Sequence, residues 1–188
     1  MNMRFVAASG WVLVLVLSGL GGVGAARAAA PVARQQAEAP NAPLAGLAGH
    51  WVVRQSMWLD AGSAPVVDHG TADLKMVLGG SHLRQDLRIA SSKPFEGLGY
   101  IGYDDATGKY DSSWMDTNFA GMIVAHGDFD AASRTYTFTG AMAGKDGTPI
   151  PVREVMRVDD DDHFVYQYYE TRHGKEALAV SLEYTRVD

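Results

Sequence analysis

The amino-acid sequence predicts an all-β fold, an up-and-down antiparallel β-barrel of about ten strands. Three observations carry that expectation. Apolar, alternating runs recur at a near-constant spacing, with glycine- and aspartate-rich turns between them. No segment shows helical periodicity beyond a turn near Pro43 to Ala48. The longest stretches outside these runs, 60–69, 91–96 and 117–120, suit a meander, whereas a sandwich usually needs longer crossovers. A meander of this size hides its edges by closing on itself. A closed barrel of about ten strands encloses a lumen wide enough for a small ligand.

Residues 1–30 read as a signal peptide. Met1 to Arg4 carry positive charge, residues 5–20 are apolar apart from Ser9, Gly10, Ser18 and Gly19, and Ala26-Arg27-Ala28 or Ala28-Ala29-Ala30 offers a small-residue cleavage site. The apolar run is shorter than the roughly twenty residues of a spanning helix. The expected location is therefore periplasmic or secreted, with no stable membrane insertion after cleavage. Without cysteine the chain has no thiol to acylate, no disulfide, no thiol nucleophile and no zinc-thiolate site. Residues 31–43 hold three prolines and no apolar periodicity, and read as a disordered linker. Residues 44–188 read as a single barrel domain. Loss of Arg4 and Arg27 with the leader takes the net charge from −6 to −8. Nucleic acid and anionic membrane surfaces need clustered lysine and arginine, so neither is an expected partner.

The first strand is Trp51 to Leu59. Gly70 to Leu78 and Ser81 to Ala90 form a hairpin on Gly79-Gly80, where positive φ costs glycine little. That register gathers Ala72, Leu74 and Met76 with Leu83, Gln85 and Leu87 on one face. It also sets Lys75 opposite Arg84 and Asp73 opposite Asp86, an unfavourable pairing offset by the diagonal ones. Pro94 to Asp116 forms the central hairpin on the loop Asp105-Ala106-Thr107-Gly108, which suits a type I turn with a left-handed glycine. Counting from the loop sets Tyr103 opposite Tyr110, Ile101 opposite Ser112, Gly99 opposite Trp114 and Gly97 opposite Asp116 on one side of the sheet. Leu98 opposite Met115 and Tyr100 opposite Ser113 lie on the other. Trp114 is expected to lie over Gly99, a bare strand position with room for a ring.

Gly121 to Phe129 and Arg134 to Ala141 turn on residues 130–133, so Ile123 and Ala125 share a face with Tyr136 and Phe138. Ile150 to Val158 and His163 to Glu170 are joined by the four aspartates 159–162. The last hairpin turns on Arg172-His173-Gly174, and Phe164, Tyr166 and Tyr168 share a face with Leu178, Val180 and Leu182.

Two resemblances follow. Gly49-His50-Trp51, matched by Arg186 near the end of the last strand, resembles the Gly-x-Trp and closing arginine of lipocalins and their calycin relatives. The resemblance implies that Trp51 and Arg186 stack across a closed barrel end. PFEGLGYIGYD, TGKY, SSWMD, REVMRV, GKE and EYTR together are similar to an exported bacterial family of uncharacterised proteins, domain-of-unknown-function family fifteen seventy-nine, over most of the chain from Trp51. That family implies a fold and a compartment. It has no assigned activity and lends no catalytic residues.

Residues suited to chemistry are few. The six histidines fall in different strands or turns without the close spacing of a zinc site. Asp159 to Asp162 lack the spaced ligands, glycine and closing glutamate of a calcium loop, and suit a solvated hairpin tip. Glu154 alternates with Val152, Met156 and Val158 and so points inward. A carboxyl in an apolar lumen is costly unless paired, which suits proton transfer, ligand binding, or an internal bond to Arg186, Tyr166 or Tyr184. Asp116 sits at a barrel mouth, as a ligand contact or the cap of an Asx turn. No nucleophile elbow, phosphate loop or dinucleotide fingerprint is present, and no cofactor is expected.

Three readings follow. In the first, the barrel carries a small apolar ligand in its lumen against Trp114, Tyr136, Phe138, Met156 and Tyr168, with Asp116 or Glu154 fixing its orientation. In the second, an inward acid such as Glu154 serves a hydrolase or isomerase. In the third, the barrel is structural and its interior is full.

Overall fold

The computed structural model describes residues 40–144 and 146–187. The leader and most of the linker lie outside the described residues. A short helix α1 (Ala42–Ala45) precedes ten strands: β1 (Gly49–Met57), β2 (Val66–Val77), β3 (His82–Ala90), β4 (Phe95–Asp104), β5 (Lys109–Asp116), β6 (Phe119–Asp130), β7 (Thr135–Ala143), β8 (Pro149–Val158), β9 (His163–Arg172) and β10 (Lys175–Val187). Each strand pairs antiparallel with its neighbours in sequence, and β1 pairs with β10 to close the barrel. The alternation of β8, with Val152, Glu154, Met156 and Val158 buried between more exposed neighbours, is the period-two pattern that turns one set of side chains into the lumen.

The central register is as expected, from Asp104 opposite Lys109 out to Gly97 opposite Asp116. The second hairpin keeps its register too, with Lys75 opposite Arg84 and Asp73 opposite Asp86. Its loop is wider than expected. Leu78, Gly79 and Gly80 all take positive φ, at 52°, 70° and 91°, so β2 ends at Val77 and Val77 pairs with His82. The stretch 60–69 is shorter as a loop than expected, because β2 already begins at Val66.

The last hairpin is a correction. His173 and Gly174 both take positive φ, and Arg172 pairs with Lys175, so the turn has two residues in the type I′ manner. A bulge at Ala179 then shifts the pairing, and Leu178 comes to face Tyr169 while Val180 faces Tyr168. Val180 and Leu182 stay inward. Leu178 leaves that set.

One barrel end is closed. Residues 40–48 cross it, with Leu44 and Leu47 buried under the strands. Residues 41–43, expected to be the end of the linker, are half-buried there, and Pro40 beside them is exposed. The Asn41 amide donates to the Ser81 carbonyl at 3.1 Å and its carbonyl accepts from the Tyr103 N–H at 3.2 Å, while the Tyr110 hydroxyl donates to the Pro40 carbonyl. Above this plug the lumen is filled by rings. Phe164 stacks on Tyr184 at 4.0 Å, Trp51 meets Phe164 edge-on at 4.8 Å, and Tyr136 packs against Phe129 at 4.3 Å and Tyr110 at 5.1 Å.

Candidate functional site

The opposite half of the lumen has no plug. Its inward side chains Trp114, Tyr166, Tyr168 and Val180 are partly buried, as Met76, Ile101, Tyr103 and Phe129 are near the plug, while Ile89, Ile123 and Val152 between them are covered. Its mouth is ringed by the loops 58–65, 91–94 and 117–118, by residues 144 and 146–148, and by the turn 173–174.

Trp114 is the best-held group there. Its indole lies flat over two glycines of β4. A Cβ at Gly97 would stand 2.2 Å from its Cζ2, and one at Gly99 would stand 2.9 Å from its Cε3. No other residue type leaves that space. The indole N–H donates to Asp116 Oδ2 at 2.8 Å, and Asp116 Oδ1 accepts from the backbone N–H groups of Asn118 and Phe119 at 2.8 and 3.0 Å. Asp116 thus caps the β5–β6 turn and anchors the ring with the same carboxylate.

Glu154 lies deeper, 1 % exposed, on β8. Ser112 on β5 reaches it from three strands away and donates its hydroxyl to Oε2 at 2.8 Å. Ala125 and Gly140, inward on the two strands between, present no bulk to obstruct that reach. The Tyr166 hydroxyl approaches the same carboxyl from β9, close enough to favour its ionised form. Among the described residues no lysine, arginine or histidine forms an ion pair with it. Burial therefore raises the Glu154 pKa, against the opposing pull of Ser112 and Tyr166.

The other partners considered for Glu154 are engaged elsewhere. Arg186 sits at the closed end, and the Tyr184 hydroxyl accepts from the Gln85 amide at 2.8 Å.

Tyr168 stands directly opposite Glu154 across the β8–β9 ladder and donates its hydroxyl to Met142 Sδ at 3.2 Å. Burial raises its pKa, and Glu170 adds to that shift. Tyr136, Phe138 and Met156 are fully packed, Phe138 directly opposite Glu154 across the β7–β8 ladder and the Tyr136–Met156 pair two residues nearer the plug, so they show no surface to the lumen. The Tyr136 hydroxyl is buried without a hydrogen-bond partner. Tyr166, Ser112 and Val180 complete the cluster. Sequence reasoning set all three inward but assigned none of them to the site, since a bond spanning β5 to β8 leaves no local signature.

Outside the lumen, His50, His126 and His163 pair with Asp73, Asp111 and Asp160. Among the described residues no group of three or more histidines and acids has the geometry to hold a metal ion. Two shallow depressions, of about 580 and 360 Å³, lie on the outer wall, one lined by Lys75, Arg84, Asp86 and Arg88 and one beside the Asp116 turn.

The barrel is similar to solved structures. The crystal structure of Rv2717c from M. tuberculosis superposes with a TM-score of 0.62 at 14 % identity, over 80 % of this chain and 99 % of that one, which shows a shared fold. The S-type phycobiliprotein lyase CPES from Guillardia theta gives a TM-score of 0.48 at 12 % identity, over 76 % of this chain and 89 % of that one. No curated protein matches in sequence. The model of the family described as "Protein of unknown function (DUF1579)" spans residues 36–186, from the plug through all ten strands to the closing arginine, and the chain belongs to that family.

Proposed function

We propose that this protein is a carrier or sensor that holds a small, largely apolar molecule in the open half of its barrel, and that it works in the periplasm or outside the cell. The observation that carries the reading is the indole of Trp114. It is pinned by Asp116 on one edge and by two glycines beneath, which leaves its other face toward the lumen. Binding pockets combine apolar walls with a few fixed polar groups. Tyr166, Tyr168 and Val180 supply such walls, and Glu154 with Ser112 supplies the polar floor.

Carriage is favoured over acid–base catalysis by the company Glu154 keeps. The titratable groups facing it are Tyr166 and Tyr168, both with raised pKa values, so no second group shares a proton with it near neutrality. The leader supports the exported location through its charged start, apolar run and small-residue end. Native mass spectrometry of protein recovered from the periplasm tests both parts. A retained small molecule on a chain beginning at Ala29 or Pro31 is the expected result. Protein found with Met1 intact in the membrane fraction and missing from the periplasm refutes the location, and repeated recovery of empty protein that also fails to quench saturably with apolar probes refutes the carrier.

A further inference from the structure

The floor of the open half has a proton too many for its own hydrogen bonds. Three groups meet there, the Ser112 hydroxyl, the Glu154 carboxyl and the Tyr166 hydroxyl, contributed by β5, β8 and β9. The carboxyl is buried without an ion pair among the described residues. An unpaired carboxylate in such surroundings is far costlier than a neutral acid. With the acid neutral the trio holds three O–H groups. Ser112 spends its proton on Oε2. One more bond between Glu154 and Tyr166 spends a second, in whichever direction it runs. At least one O–H is left over, on Glu154 or on Tyr166, next to the accessible surface of Tyr166 and Tyr168.

Resting on the carrier reading above, we infer that the lumen selects uncharged molecules whose apolar body ends in a hydrogen-bond acceptor, such as a carbonyl oxygen or a ring nitrogen, and that this end enters first and meets the spare donor at Glu154 and Tyr166. The class follows from what the floor offers. A neutral acid and two hydroxyls present a donor to an acceptor, and a site whose buried donor is left unpaired rejects a molecule lacking that acceptor. A cation is disfavoured, because both its own charge and the carboxylate it would create at Glu154 lose their hydration in the lumen.

The groups that face the trio are consistent with this. Phe138 and Met156 pack against it from β7 and β8, and Tyr168 and, behind Tyr166, Tyr184 stand on β9 and β10. Asp116 and Glu170 lie nearer the mouth. Arg172 there is committed to Glu170 at 2.6 Å. Ionisation of Glu154 on raising the pH converts the floor from donor to acceptor, so the preference is expected to weaken toward alkaline pH.

Titration calorimetry of the purified protein with three probes of one shape tests the inference: methyl β-naphthyl ketone, the isosteric alkene β-isopropenylnaphthalene, and the cationic α-methyl-β-naphthylmethylamine. The expected result is binding of the ketone about tenfold tighter than the alkene, the size of one hydrogen bond to a buried donor, with the amine weakest. E154Q, which keeps an N–H donor and an acceptor for Ser112, should preserve that order. The triple variant S112A/E154M/Y166F removes every member of the network together, so no group is stranded, and should bind ketone and alkene alike. Equal affinity for ketone and alkene in the unaltered protein, or an amine that binds tightest, overturns the inference and leaves the carrier standing. Absence of saturable heat from all three overturns the carrier and the inference with it.

Discussion

The guanidinium of Arg186 lies 4.2 Å over the indole of Trp51, joining the last strand to the first across the closed end of the barrel. Its N–H groups also donate to the carbonyls of Ala48, Gly46 and Asp161, each at 2.8 Å. One side chain thus ties the plug, the first strand and the acidic β8–β9 turn. A desolvated cation–π contact contributes about 0.5 to 2 kcal/mol, and charge-assisted bonds add to it. Arg186→Ala should lower the unfolding free energy by about 2 to 4 kcal/mol in urea titrations. Arg186→Lys should recover only a fraction, because an ammonium has no planar fork to meet three diverging carbonyls. Ligand affinity should be unchanged by either.

The same logic at the other end concerns Gly97. A methyl there overlaps the Trp114 ring, whose far side is rigid and held by Asp116. Gly97→Ala should destabilise by about 1 to 3 kcal/mol, as overpacking does, and shift the indole emission. Trp114→Leu should suppress most of that penalty in the double variant. Additive losses would mean that the indole does not rest on Gly97.

Glu154 gives a pH dependence whose sign is fixed by burial. Its folded pKa is raised, so between the ordinary glutamate value of about 4.3 and the folded value the native state holds a proton that the unfolded chain has released. The stabilising contribution is complete below the unfolded pKa and is lost as the pH rises through the folded one, at a slope approaching about 1.4 kcal/mol per pH unit. Glu154→Gln should flatten that slope and unfold at higher denaturant than the parent at neutral pH, since the amide keeps the Ser112 bond and folds without taking up a proton.

Tyr136→Phe is expected to cost nothing and to gain up to about 1 kcal/mol, because it deletes a buried hydroxyl that has no partner and leaves the ring packing intact. Thermal unfolding measures it. A loss above that size would show that the hydroxyl is bonded in solution, with water as the simplest partner.

The faces of the strands were legible because the side-chain period is two and the turns are marked by glycine and aspartate. The last hairpin shows how far that reaches. Its turn is one residue shorter than Arg172-His173-Gly174 suggests, and the Ala179 bulge adds one residue to the other strand. The two displacements sum to an even number, so Val180 and Leu182 stay inward although their own cross-strand partners have moved by two, whereas Leu178, before the bulge, has moved by one and turns out. Trp114 over Gly99 could be read from one hairpin. Tyr166 could be named as a partner of Glu154 from their inward faces, but Ser112 could not, because it is brought there by the curvature of four strands, and no turn or spacing records which residues a closed barrel sets facing each other across its axis.

The closure by β1 and β10 also dictates an order of events. His50 pairs with Val187, so the contact that removes the two raw edges joins residues at opposite ends of the folded chain. Nine hairpin pairings can form from neighbouring strands, but this one must wait for the whole length of the barrel to be present. Until it forms, the sheet is open, its first and last strands are free to pair with other chains, and Leu44 and Leu47 have no finished end to plug. A chain lacking its final strand should therefore accumulate as an edge-pairing species rather than as a smaller barrel, and the Arg186 clamp acts at the last step of assembly.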